Sequence, residues 1–66
     1  MTKQEAIEQM QKGKKVTHRY FTKDEWIESN LHGTMLFLSG RVHCLPNEFW
    51  RDRTDESWNS DWEIFN

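Results

Sequence analysis

Two aromatic rings and two arginines fall within five residues of this sequence, in the segment Phe49-Trp50-Arg51-Asp52-Arg53. Aromatic side chains stack on nucleobases, and the planar guanidinium fork binds phosphate oxygens in pairs. We therefore take Trp50, Arg51 and Arg53 as candidate ligand-binding residues. Tryptophan and arginine are equally the preferred anchors of protein interfaces, so the segment leaves a nucleotide site and a protein interface both open.

A second basic and aromatic group lies near the amino terminus, in the run GKKVTHRYF. Alternation along a predicted strand puts Arg19 and His18 on opposite faces, with Arg19 outward or toward a partner. Arg19 is a candidate for binding a phosphate and Tyr20 for stacking on a ligand ring, and Lys15 is a further candidate that would support them. The alternatives are that Arg19 pairs with a carboxylate and that the lysine is merely solvated. His18, if inward, is predicted to be a hydrogen-bonded core residue.

Neither catalysis nor metal binding is indicated by the spacing of reactive residues. No serine, histidine and acid can be assigned to a nucleophile, base and orienting group, so we do not expect an enzyme. His43 and Cys44 are adjacent, which sends their side chains to opposite faces of a strand. We expect no metal site and no cofactor.

The elements that must position these residues begin with a helix predicted over 3–12. Thr2 and Glu5 have the spacing of a capping box. Ala6, Ile7 and Met10 fall three and four residues apart and share one helical face. Gly13 is placed to end the helix in a left-handed conformation, which glycine adopts without steric cost.

The remainder of the chain reads as short strands separated by turns, predicted over 15–21, 25–29, 34–38, 41–45 and 61–65. Between the last two we expect a single helical turn over 47–50, capped by Asn47, and a charged loop over 51–57. Together these elements predict an α+β fold in one domain, 1–66, with an N-terminal helix packed on a small, mainly antiparallel sheet of four to five short strands.

Chain length predicts self-association. A domain of 66 residues buries only about 60% of the surface of its unfolded chain, and it usually needs additional support. The single cysteine rules out an internal disulfide. Residues 1–23 hold six basic and two acidic side chains, whereas residues 24–66 hold three basic and nine acidic ones. We therefore expect a homo-oligomer, stabilised by nine aromatic side chains and by this uneven charge.

Net charge and hydropathy limit the other partners. A net charge of −2 does not favour general nucleic-acid binding. No apolar run approaches the roughly 20 residues of a membrane span, and no signal peptide is recognisable. We expect no membrane association and a cytoplasmic location.

Four short motifs together resemble those of very small bacteriophage proteins. They are EAIEQM, GKKVTHRYF, DEW and the closing DWEIF. Their order is similar to that of the phage anti-Thoeris sponge family, in which a helix ends near a glycine-lysine pair and a strand carries an arginine and an aromatic residue. The resemblance covers both ends of the chain and leaves 30–46 unmatched. His18-Arg19-Tyr20 stands where the family pattern has an arginine followed closely by tryptophan.

The resemblance implies a phage protein that sequesters a nucleotide-derived immune signal without cleaving it. The candidate ligand-binding residues are then Lys15, Arg19, Tyr20, Trp50, Arg51 and Arg53, in a site closed by a second subunit. The alternative is a small phage protein that inhibits a host or defence protein directly. It would use the acidic surface of the C-terminal half, formed by Asp52, Asp55, Glu56, Asp61 and Glu63.

Overall fold

The computed structural model describes residues 1–66. In chain order its elements are helix α1, strands β1 to β4, helix α2, a 3-10 turn and strand β5. They span α1 Lys3–Gln11, β1 Val16–His18, β2 Ile27–Ser29, β3 Leu36–Leu38, β4 Val42–Cys44, α2 Pro46–Arg51, the 3-10 turn Glu56–Trp58 and β5 Trp62–Ile64. Neither helix is long and apolar enough to span a membrane.

Helix α1 has the start and the end that its sequence predicts. The amide of Glu5 donates to the Thr2 hydroxyl over 3.1 Å, and the Glu5 carboxylate accepts from the Thr2 amide over 2.9 Å. Gly13 adopts φ +88°, and its amide donates to the Met10 carbonyl while that of Lys14 donates to Gln9. These are the two hydrogen bonds of a Schellman motif, which satisfy carbonyls that the helix end leaves free.

The five strands form one sheet in the order β4-β3-β2-β1-β5, with every neighbouring pair antiparallel. The predicted α+β class is therefore confirmed. Registers pair Val16 with both Ile27 and Ile64, so β1 is the centre of the β2-β1-β5 half of the sheet. On the other half, Phe37 lies opposite both Glu28 and His43.

Alternation along these strands gives the sheet two different faces. The covered face packs against the helices and supplies most of the buried core, which consists of Ala6, Met10, Val16, Ile27, Leu36, Phe49 and Trp62. The open face carries Lys15, Thr17, Trp26, Glu28, Phe37, His43, Glu63 and Phe65. Its three aromatic side chains are half-buried and do not pack against the core cluster.

The strands are shorter than predicted, and α2 begins earlier. After His18 the chain turns, because the Phe21 amide donates back to the His18 carbonyl; Tyr20 and Phe21 are thus outside β1, contrary to the prediction. Asn47 does not cap the second helix. Pro46 is its first residue, where a missing N–H costs nothing, and the Glu48 carboxylate accepts from the Leu45 amide over 3.0 Å. The predicted loop 51–57 also contains the start of the 3-10 turn.

Candidate functional site

A cavity of about 170 Å³ lies between α1, the β2–β3 connection and α2. We call it the Trp50 cavity; it is lined by Ile7, Met10, Gln11, Ser29, Gly33, Leu36, Pro46 and Trp50. A cavity of this size accepts a single ring, whereas sites that hold a whole drug-sized ligand measure roughly 300 to 1,000 Å³. Any larger ligand would therefore place one ring inside and the remainder outside.

Two polar side chains, Gln11 and Ser29, are among the residues that line the Trp50 cavity. The amide of Gln11 lies against Gly33, whose φ is +70°; a β-carbon at Gly33 would come within 3.0 Å of the Gln11 Nε2 atom. Ser29 also lines the cavity, and its hydroxyl donates to the Asn30 carbonyl over 3.0 Å. An amide and a hydroxyl beside an apolar slot can recognise the polar edge of a heterocyclic ring.

A cation lies over the ring of Trp50, one of the residues that line this cavity. The Lys3 ammonium is 4.3 Å from the centre of the Trp50 ring, and Lys3 is one helical turn before Ile7 on the face of α1 that lines the cavity. An ammonium can pair with an anionic group while remaining in contact with an aromatic ring. Trp50 is thus in contact with the Lys3 ammonium and lines a cavity that Gln11 and Ser29 also line.

A second surface surrounds Tyr20 at the carboxyl end of β1. We call it the Tyr20 patch; it consists of Arg19, Tyr20 and Trp58. Tyr20 is 56% exposed, and its ring meets that of Trp58 edge-on at 5.2 Å. The Arg19 guanidinium is 5.9 Å from the centre of the Tyr20 ring and 3.5 Å from the Asp61 carboxylate. Both groups of this ion pair are solvent-exposed, so the contact restrains Arg19 only weakly.

His18 fixes the Tyr20 patch from beneath and is the hydrogen-bonded core residue that its predicted inward orientation required. Its Nδ1 accepts from the Tyr20 amide over 3.1 Å, so the ring proton is on Nε2. That nitrogen lies 3.0 Å and 2.8 Å from the carbonyl oxygens of Ser57 and Ser60. The imidazole also stacks at 4.4 Å on Trp58, and it is therefore committed to holding the 3-10 turn against β1.

The two arginines that follow Trp50 differ in their surroundings. Arg53 donates to the Phe49 carbonyl over 2.8 Å, and its guanidinium lies 4.0 Å from the Phe49 ring and 5.2 Å from that of Trp58. Its Nε is buried without a hydrogen-bond partner. Arg51 is exposed at the end of α2 and makes no side-chain hydrogen bond or ion pair. The Arg53 guanidinium thus packs on two aromatic rings, whereas the Arg51 side chain is exposed and makes no contact of this kind.

The six predicted ligand-binding residues lie in separate places. Trp50 lines its cavity, and Arg19 and Tyr20 form the Tyr20 patch. Lys15 lies on the open face, with its ammonium 4.4 Å above the Trp26 ring. The buried indole of Trp62 lies between the first two sites, with its ring centre 5.5 Å from that of Trp50 and 6.1 Å from that of Trp58.

Sequence reasoning missed the residues that α1 gives to the Trp50 cavity. The signal was present in the spacing of Lys3, Ile7 and Gln11, four residues apart on one helical face. For Ile7, the sequence predicted only that it shares one helical face with Ala6 and Met10. The partners that complete the cavity come from the β2–β3 connection and α2, and nothing in the spacing of one segment indicates them.

The histidine and cysteine side chains that could be reactive have defined surroundings. His18 is bound to backbone atoms, and no three of the histidine, cysteine and acidic side chains lie close enough to hold a metal ion. Burial, followed by the nearby Glu48 carboxylate, raises the pKa of the Cys44 thiol above its ordinary value. A thiol with a raised pKa is a poor nucleophile at neutral pH.

Comparison with protein-family models, with curated proteins and with solved structures gives no match for this chain.

Proposed function

We propose that this chain is a non-catalytic binding protein that captures a nucleotide-derived signalling molecule, with one base in the Trp50 cavity. The observation that carries the proposal is the cavity itself, an apolar slot the size of one ring that is lined by an indole and by the polar residues Gln11 and Ser29. Indole rings stack on any base, because every base has a π-face. The Lys3 ammonium beside Trp50 then meets the first phosphate.

The resemblance to the phage anti-Thoeris sponges supports the same proposal from the sequence. We propose a phage-encoded anti-defence protein that acts in the cytosol of the host cell and withholds an immune signal from its effector. Binding alone suffices for this role, since a signal that is held cannot reach its receptor. The ligand leaves the protein chemically unchanged.

Titration calorimetry against cyclic dinucleotides, cyclic trinucleotides and cyclic ADP-ribose isomers tests the proposal. Trp50→Ala should cost about 1 to 3 kcal/mol of binding free energy through lost stacking, whereas Trp50→Phe keeps a ring and most of the affinity. Lys3→Gln should weaken binding, and Lys23→Gln, which removes a charge from an exposed turn, serves as its matched control. A well-folded protein that gives no heat with any of these ligands would contradict the proposal.

The fate of the captured molecule distinguishes a sponge from an enzyme. Heating the loaded protein should release a ligand of unchanged mass, as measured by mass spectrometry. A changed mass would mean that the protein transforms its ligand.

A second function, direct inhibition of a basic host protein, is favoured by the charges of the C-terminal half. Its acidic side chains Asp52, Asp55, Glu56, Asp61 and Glu63 are all exposed, and only Asp61 is in an ion pair. An unpaired acidic surface attracts a basic partner and speeds its association. Co-purification of one basic host protein, lost when Asp52, Asp55 and Glu56 are replaced by their amides, would support this function instead.

A further inference from the structure

The helices leave the open face of the sheet uncovered. It holds Trp26, Phe37 and Phe65, which are half-buried by one another and by their neighbours. The Trp26 and Phe65 rings are 6.2 Å apart, and the Phe37 and His43 rings are 6.4 Å apart. These rings form a second apolar layer that has no protein layer above it.

The charges of the open face are balanced and separated. Arg41, immediately before β4, is at one edge of the sheet, and Glu63 is on β5 at the opposite edge. Lys15, immediately before β1, and Glu28, on β2, are nearer the middle. Arg41 and Glu63 thus put opposite charges at the two opposite edges of the sheet, and the few charges near this face do not favour a nucleic-acid strand.

We propose that a second copy of this chain packs on the open face, with the two-fold axis running along the strands. Rotation about that axis places the β4 edge of one copy over the β5 edge of the other. Arg41 of each copy then faces Glu63 of its partner, twice in the dimer. The aromatic layers of the two sheets meet in between, as in a β-sandwich.

The size of the face is sufficient for such a dimer. The molecule measures 25 × 25 × 20 Å. One face therefore offers roughly 500 Å² per copy, or about 1,000 Å² in total, which is the lower limit for a specific interface. A short chain without a disulfide gains the most from such an association. This inference is independent of the proposed ligand, because the Trp50 cavity is among the helices on the other side of the sheet.

Sedimentation velocity at micromolar concentrations tests the proposal. The wild-type chain should sediment as a dimer of the 8.1 kDa unit. Arg41→Glu or Glu63→Lys should each raise the dimer dissociation constant by roughly tenfold or more, because like charges then face each other. The double exchange, Arg41→Glu with Glu63→Lys, should restore the dimer.

The matched control is Glu8→Lys, which makes the same charge change as Glu63→Lys on an exposed position of α1. It should leave the dimer unchanged. A wild-type chain that is a monomer up to tens of micromolar would overturn the proposal. So would single exchanges without effect, or a double exchange that fails to restore the dimer. Circular dichroism confirms that each variant is folded.

Discussion

The two faces of the sheet carry similar side chains and use them differently. On the covered face, Val16, Ile27 and Trp62 are wholly buried beneath α1 and α2. On the open face, Trp26, Phe37 and Phe65 are only half-buried and contact one another and polar neighbours. Burial of the covered face therefore supplies most of the hydrophobic free energy of folding, whereas part of the apolar area on the open face stays exposed to water in a single copy. Hydrophobicity alone would not distinguish these two sets of residues; the position of the helices does.

The largest expected effect comes from emptying the covered face. Trp62→Ala should lower the free energy of unfolding by about 3 to 5 kcal/mol, because it leaves a cavity in the core and frees the Trp58 carbonyl that the indole N–H binds over 2.8 Å. A chain of this size has on the order of 3 to 10 kcal/mol in all, so the variant should be largely unfolded at 37 °C. Urea denaturation followed by circular dichroism measures the loss.

The matched variant on the open face is Phe37→Ala. It should lower the free energy of unfolding by at most about 1 kcal/mol at a concentration too low for association, because the Phe37 side chain does not pack against the buried core. Low concentration matters because a dimer adds a stability that depends on protein concentration. If Phe37→Ala proved as destabilising as Trp62→Ala in the monomer, the distinction between the faces would be wrong.

A smaller effect is expected at the boundary between β1 and the 3-10 turn. His18→Leu keeps an apolar side chain in place but leaves the Tyr20 amide and the carbonyls of Ser57 and Ser60 without the imidazole. We expect a loss of about 1 to 3 kcal/mol, the cost of leaving a buried polar group unsatisfied. The turn should also detach locally. Hydrogen exchange at the Tyr20 amide should accelerate in this variant and stay unchanged in His43→Leu, which alters an exposed histidine of the open face.

The C-terminal end of α1 depends on the left-handed backbone conformation of Gly13. Gly13→Ala should cost on the order of 1 kcal/mol, because φ is +88° there and alanine rarely adopts it. Nothing lies within 4 Å of the position that the new β-carbon would take, so the cost is conformational and not steric. Thermal unfolding measures the change, with Lys12→Ala, an exposed neighbour, as the control. An unchanged midpoint for Gly13→Ala would contradict this account of the helix end.

The sequence predicted α1 and its caps well because their hydrogen bonds join residues three to five positions apart. The residue types at Thr2, Glu5 and Gly13 are therefore nearly enough to predict where α1 begins and ends. Strand ends were predicted less well, since β1 stops where Phe21 turns back to His18 and where the Arg19 amide reaches the Asp61 carbonyl. That second contact spans 42 positions, and no local pattern reveals it.

The Trp50 cavity, like the strand ends, depends on contacts between distant segments, so the sequence could indicate only part of it. Trp50 was identified by its residue type, but its cavity is assembled from 7–11, 29–36 and 46–50, three segments that meet only after folding. Arg53 has the residue type of a phosphate ligand, yet its guanidinium is engaged by the Phe49 carbonyl and ring. Residue type indicates what a side chain can bind, whereas the fold decides whether it is free to do so.

The smallest expected effect is the pH dependence of the α1 cap. Hydrogen bonds from Thr2, first from its backbone amide, hold the pKa of the Glu5 carboxyl below its ordinary value of 4.5. A pKa that folding lowers contributes stability above the unfolded value, and that contribution is lost as the pH falls through the folded value. We therefore expect Glu5→Gln to be less stable than the wild-type chain at pH 7 and the difference to shrink as the pH falls from about 5 toward 3. Thermal midpoints over this range provide the measurement. Glu8→Gln, an exposed residue of the same helix outside the cap, is the control; a Glu5→Gln difference that stayed constant with pH would show that the carboxylate charge does not stabilise the cap.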